Sequence, residues 1–233
     1  MTLLWQVETG TGSAASLHDG SATLLAGSGP PEPTVRVLAP ADVAVVLGSS
    51  QPEADVDRER ARAAHVAVVR RRSGGGAVLV GPGLIVWVDV VIPAGGPLWD
   101  RDVRRAFWWL GAVWAAALAD VGFPGGAVHH EGLVHTAWSG RVCFAGLGPG
   151  EVTIGGAKVV GMSQRRTRQG ALFQCAVPIV WDPAALLDLL ALDDETRWRG
   201  STELTGVAVG IGPDAARALV PALLAHLPGD NHP

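Results

Sequence analysis

Cysteine, basic charge and long apolar runs are all scarce in this sequence, and each shortage excludes a class of protein. The 233 residues contain two cysteines, Cys143 and Cys175, too few for the disulfide framework of a small secreted domain or for a cysteine-rich metal site. The net charge of −4 and the pI near 5.9 provide no basic field for nucleic acid or an anionic membrane. The longest apolar run, residues 106–119, is shorter than the roughly 20 residues of a membrane-spanning helix.

These shortages lead to an expectation about where the protein works. The opening stretch MTLLWQVETG lacks the basic start and the sustained apolar run of a signal peptide. We therefore predict a cytoplasmic protein, kept reduced, with neither nucleic acid nor a membrane as a partner.

Lysine is the scarcest charged residue, because Lys158 is the single lysine beside 17 arginines. It lies in the segment EVTIGGAKVV, where two glycines between β-branched runs predict a tight hairpin. Lys158 then lies on a strand, two residues past the turn. From the pattern alone it is either an outward-facing residue at a sheet edge or a functional ammonium group.

The segment RRRSGGGAVLV, residues 70–80, places the densest positive charge directly before three glycines. Backbone without Cβ atoms lets a ligand approach closely, and its N–H groups can bind an anion. Ser73 adds a hydroxyl donor, and Arg71 or Arg72 can bind a phosphate or carboxylate in a bidentate manner. The pattern is neither a Walker loop nor a dinucleotide-binding loop. The alternative is a tight strand connection beside a solvated basic cluster.

The order of apolar patterns predicts an α+β fold, with a mixed β-sheet flanked by helices and one domain over residues 1–233. The run LIVWVDVVI is apolar on both faces, which predicts a central strand. Apolar residues repeating every three or four positions over 103–117 predict a helix that begins at Asp100 or Asp102. We expect RVCFAG, residues 141–146, to form a strand, and WDPAALLDLLAL to form a helix capped by Asp182.

Two of these motifs together resemble the lipoate-protein ligase A family, part of the superfamily of biotin, lipoate and octanoyl protein ligases and transferases. VVRRRSGGGAV resembles the family's first signature, and EVTIGGAKVVGMSQRRTRQGALFQ resembles its second. The resemblance implies the catalytic-domain fold of biotin and lipoate protein ligases, which is related to class II synthetases. It also implies a substrate and nucleotide site made of Arg71, Arg72, Ser73, Gly74, Gly75, Gly76, Ala77, Gly161, Ser163 and Gln164.

For the function, the resemblance implies a ligase that attaches a lipoyl or octanoyl group to a carrier-domain lysine through an acyl-adenylate. ATP and Mg would activate lipoate or octanoate, Lys158 would stabilise the acyl oxygen, and Glu151 would be the carboxylate nearest the metal. The acceptor would be the lipoyl domain of a 2-oxoacid dehydrogenase E2 or the glycine cleavage H protein. The sequence ends without room for an accessory C-terminal domain, so a ligase would depend on a separate accessory subunit.

Two alternatives to the ligase remain open. Cys143 precedes Lys158 in CFAGLGPGEVTIGGAK, which resembles octanoyltransferases that pass the acyl group through a cysteine thioester. Val80 stands where many relatives have histidine, and GPGEV stands where many ligases have Asn-Asp, and both departures argue against self-sufficient adenylation. The second alternative is a non-catalytic module that binds an acyl group or a nucleotide. A free cysteine is otherwise a small buried hydrophobe, which we expect of Cys175, and Trp87 is a candidate for the wall of an acyl tunnel.

Overall fold

Seven strands form the larger sheet of the computed structural model, which describes residues 3–26 and 31–229. Their order across the sheet is β1 (Gln6–Gly12), β2 (Thr34–Pro40), β6 (Ile85–Pro93), β10 (Gly170–Pro178), β9 (Ala157–Arg166), β8 (Val152–Ile154) and β7 (Ala127–Val128). The pair β1–β2 is parallel and the other pairs are antiparallel. The prediction of a central strand is confirmed, since β6 has neighbours on both sides and is buried along nearly its whole length.

Three further strands form a separate small sheet in the order β4 (Ala67–Arg70), β3 (Ala44–Leu47) and β5 (Val78–Val80). The expectation of a single sheet is therefore wrong, although the predicted mixed sheet flanked by helices is confirmed. Every residue of β3 is buried, so this sheet needs cover on both faces. The small sheet lies between the larger sheet and a layer of helices, and these cover its two faces.

The described residues also form six α-helices: α1 (Ala14–Thr23), α2 (Arg58–Ala63), α3 (Trp108–Asp120), α4 (Pro183–Leu187), α5 (Asp194–Leu204) and α6 (Gly212–Ala225). Asp182 caps α4 as predicted, accepting from the N–H of Ala184. The predicted start of α3 is wrong, because the Asp102 carboxylate instead accepts from the N–H groups of Arg104 and Arg105, at the start of a 3-10 turn, Arg105–Phe107, that precedes α3. In residues 3–26 and 31–229, none of the helices combines the length and apolar character needed to cross a membrane.

These elements stack in layers. Helices α3 and α6 cover one face of the larger sheet, with Trp114 and Leu219 fully buried there. Its other face meets α1 and the small sheet through residues such as Leu17 and Val46. The far side of the small sheet packs on α4 and α5. A cavity remains between the two sheets.

Candidate active site

The three glycines of the loop after β4 differ in how strictly the structure requires them. Gly75 has φ of 99°, a conformation that side chains with a Cβ rarely adopt. A Cβ on Gly76 would lie 2.6 Å from the nitrogen of Val142, whereas one on Gly74 would meet no atom within 4 Å. The loop therefore combines an unusual backbone turn, a close contact with the segment before Cys143, and an open position at Gly74.

The Arg71 side chain supports this loop through hydrogen bonds to backbone oxygens. Its buried guanidinium donates to the backbone oxygens of Val46 at 3.1 Å, of Gly74 at 2.7 Å and of Gly76 at 2.9 Å. Arg72, in contrast, has an exposed side chain. Because the Arg71 donors bind backbone oxygens, the geometry favours a supporting part for Arg71, and anion binding by either arginine stays a prediction.

Cys143 lies against the glycine loop although 66 or more residues separate the two segments along the chain. Its N–H donates to the Ala77 oxygen at 2.9 Å, and the Ala77 N–H donates to the Arg141 oxygen at 2.8 Å. These bonds fold residues 143–145 into a 3-10 turn, so the expected strand over RVCFAG is wrong. The half-buried thiol lies 3.8 Å from Arg71 Nη2.

Lys158 is buried, with 3% of its surface exposed, which excludes the outward-facing residue at a sheet edge. Its Nζ donates to Glu151 Oε2 at 3.0 Å and to the Cys143 backbone oxygen at 2.9 Å. It also lies 5.0 Å from the centre of the Phe144 ring. An ammonium has three N–H donors, and the two acceptors leave one for a group in the adjacent cleft.

Glu151 is the buried counter-ion of Lys158. Besides that ion pair, its Oε2 accepts from the Gly148 N–H at 2.6 Å and its Oε1 accepts from the Met162 N–H at 2.9 Å. In the described part of the chain, no three His, Cys, Asp or Glu side chains come close enough to hold a metal together. Glu151 as a metal ligand stays a prediction, and its observed contacts orient Lys158.

Two cavities meet at Cys143. The first lies between the sheets, with His18, Val46, Val80 and Trp87 in its mainly apolar lining. Trp87 therefore lies in a cavity wall, and its contact with an acyl chain stays a prediction. The second is an open cleft of about 830 Å³ lined by the three glycines, Glu151 and Lys158. The residues that line both are Cys143, Met162 and Ser163.

The remaining residues of the predicted site do not all line the apolar cavity between the sheets. Ser163 Oγ donates to Ser73 Oγ at 2.9 Å, which joins the second motif to the glycine loop. Gly161 lines the apolar cavity, and Ala77 lines a neighbouring one. Gln164 lies outside these cavities, since it pairs with Phe173, whose ring belongs to the core under α3.

Sequence reasoning missed a polar row that crosses the larger sheet beneath the apolar cavity. Residues in direct register on five neighbouring strands form it: Glu8, Arg36, Asp89, Gln174 and Ser163. Gln174 lies within 3.4 Å of both the Ser73 hydroxyl and the His18 ring, so the row contacts the glycine loop. An aspartate inside the apolar run of β6 was its one signal in the sequence.

Burial shifts the pKa values of two groups in and above this row. It raises the pKa of the fully buried Asp89 carboxyl to about 6, against hydrogen bonds from Ser21, Trp87 and Gln174 that lower it. Together with the nearby Arg71 charge, it lowers the pKa of His18 to about 4. The His18 ring is therefore neutral near pH 7, as suits a group that lines an apolar cavity.

The fold and this site define a class: an enzyme with a buried lysine and a glycine-rich loop beside an apolar cavity. The model of the lipoyl protein ligase A/B catalytic domain matches residues 21–209, and the chain belongs to this family of ligases and transferases. Two similar proteins are octanoyltransferases LipM from Exiguobacterium species, each 27% identical. One alignment covers 80% of this chain and 68% of the relative, the other 92% and 80%.

Solved structures show the same fold. A bipartite lipoate protein ligase from Thermoplasma acidophilum, studied with its E2 lipoyl domain, superposes with a TM-score of 0.75 at 17% identity, covering 96% of this chain and 84% of that one. Lipoate-protein ligase A bound with ATP gives 0.68 at 20% identity, covering 97% and 85%. At these identities the likeness extends to the fold and no further.

Proposed function

We propose that this enzyme is an acyltransferase of the octanoyltransferase type, in which Cys143 carries the acyl group as a thioester. The observation that carries the proposal is the position of the Cys143 thiol, at the junction of the apolar cavity and the cleft lined by Lys158. Both LipM relatives are octanoyltransferases, which supports the same chemistry here.

In the first step the Cys143 thiolate attacks the carbonyl carbon of an octanoyl thioester on a donor carrier. The new carbon–sulfur bond forms as the bond to the donor sulfur breaks, and the departing thiolate takes up a proton. Arg71 Nη2 lies 3.8 Å from the sulfur, which places a hydrogen-bond donor beside the reacting group.

In the second step the neutral amine of a carrier-domain lysine attacks the enzyme thioester. The amide bond forms, the Cys143 thiolate leaves, and the attacking nitrogen loses a proton to solvent. In both steps the carbonyl oxygen gains negative charge, and the free N–H of Lys158 is the donor for it. The ion pair with Glu151 and the bond to the Cys143 oxygen fix that donor beforehand.

In this proposal the apolar cavity binds the acyl chain. The cavity starts at the nucleophile, and its lining is mainly apolar, as sites for small apolar ligands are. A medium acyl chain, octanoyl or lipoyl, would lie between the sheets while its carbonyl faces Lys158. The cytoplasm keeps thiols reduced, and we place the reaction there.

A lipoate ligase is the second candidate, and the open cleft of about 830 Å³ at the glycine loop favours it, since a nucleotide would find room there. That reaction would use ATP and Mg, and a separate accessory subunit would complete it. It would require no nucleophile on the enzyme, and it leaves the placement of Cys143 without a purpose. The transferase explains that placement.

Transfer to a lipoyl carrier domain separates the candidates. The full chain is mixed with the carrier domain and either octanoyl-loaded donor carrier without ATP, or octanoate with ATP and Mg, and the carrier mass is followed. We expect modification from the thioester donor without ATP, lost in Cys143→Ala and kept in the matched variant Cys175→Ala. Modification that requires ATP and persists in Cys143→Ala would instead establish the ligase.

A further inference from the structure

A second apolar cavity lies directly beside the acyl cavity, on the other side of β5. Its lining includes Leu79, Leu84, Pro178, Trp181 and Leu186. Among the described residues of this lining, Asp182 is the one with a charge. An acidic group repels a carboxylate, so an apolar tail suits this cavity better than the head of a fatty acid.

Three side chains separate the two cavities, because Val78, Ile85 and Phe144 line both of them. The Phe144 ring is the largest part of this wall. On one side it touches Gly161 of the acyl cavity, where an added Cβ would lie 3.2 Å from Phe144 Cζ. On the other side its centre lies 5.5 Å from that of Trp181, which lines the second cavity.

We propose that this wall, with the Phe144 ring at its centre, confines the acyl chain to the first cavity and so sets the longest chain that the enzyme accepts. The proposal rests on the proposed function, since it takes the cavity between the sheets as the acyl site. Without the wall, the apolar space of the second cavity becomes continuous with that site. A longer acyl tail would then occupy the second cavity.

Two neighbouring residues of β5 provide a test substitution and its control. Val78 lines both cavities, whereas Leu79 lines only the second within the described chain. Phe144→Ala and Val78→Ala therefore open the wall, while Leu79→Ala enlarges the second cavity and leaves the wall intact. Val78→Ala is the independent test should the larger truncation at Phe144 prevent folding.

Equilibrium binding of free octanoate, dodecanoate and hexadecanoate to the full chain tests this wall without relying on transfer. Each methylene that becomes buried strengthens binding by a factor of about 4. We expect the unmodified protein and Leu79→Ala to bind octanoate more tightly than the longer acids. In either wall variant, dodecanoate should gain at least about ten-fold relative to octanoate.

The outcomes separate this proposal from the proposed function. Equal binding of hexadecanoate and octanoate by the unmodified protein would overturn the wall, as would an unchanged preference in both wall variants. A shift of the same size in Leu79→Ala would overturn it too, because cavity volume alone would then explain the shift. Altered binding in the wall variants without any acyl transfer would support the wall and refute the transferase.

Discussion

Removing the charge of Glu151 tests how the site holds Lys158. Both side chains are almost fully buried, with 6% and 4% exposed, so water cannot replace the missing partner. Glu151→Gln keeps the shape of the side chain, but an amide N–H₂ replaces one carboxylate oxygen. That group then faces N–H donors, which in the unmodified protein bind the carboxylate oxygens. Breaking a buried ion pair in this way lowers the free energy of unfolding by about 3–5 kcal/mol.

Equilibrium unfolding in urea, followed by tryptophan fluorescence, measures this loss. The double variant Glu151→Gln/Lys158→Met should recover at least about 2 kcal/mol of it, because no unpaired ammonium remains. The control is Asp214→Asn, which removes the exposed ion pair with Arg217 and should change stability by less than about 1 kcal/mol. A Glu151→Gln protein within about 1 kcal/mol of the unmodified chain would refute the argument.

Other predictions concern the loop and the polar row. Gly76→Ala should lower the melting temperature by several degrees, whereas Gly74→Ala in the same loop should not, because a Cβ would clash with the Val142 backbone at Gly76 and meet no atom within 4 Å at Gly74; equal effects would contradict this. The Asp89 pKa is raised from 3.8 to about 6. Ionisation of this buried acid therefore lowers the free energy of unfolding above pH 6, whereas below pH 3.8 the acid is protonated and has no such effect. Asp89→Asn should therefore gain up to about 3 kcal/mol at pH 8 and lose that gain near pH 4, as pH-dependent unfolding would show. The His18 pKa is lowered from 6.5 to about 4, so neutral His18 adds stability that is present above pH 6.5 and lost toward pH 4. His18→Asn should remove about 3 kcal/mol of that acid-induced loss. An unchanged pH dependence of the free energy of unfolding would contradict a buried, neutral ring.

The parts of the fold that depend on local chemistry could be predicted from the sequence. The hairpin before Lys158 is one example, since Gly155 and Gly156 both have positive φ, at 58° and 87°, as a two-residue turn between twisted strands requires. The apolar run of β6 and the Asp182 cap are others. In each case a few neighbouring residues fix the conformation without help from the rest of the chain.

Features that depend on long-range contacts could not be predicted in the same way. The segment around Cys143 has a β-branched and an aromatic neighbour, Val142 and Phe144, yet its bonds to Ala77 fold it into a turn beside the glycine loop. The polar row requires the register of five strands drawn from residues 6–178, which no single segment specifies. The motifs identified many of the site residues, but only the packing showed that Cys143 joins the two cavities.

The most direct measurement is the intact mass of the full chain, quenched in acid after mixing with an octanoyl thioester donor and no acceptor. Our account predicts that one octanoyl group is gained, that hydroxylamine removes it, and that Cys143→Ala never acquires it. An unmodified chain under these conditions, or the same adduct on Cys143→Ala, would contradict the covalent mechanism.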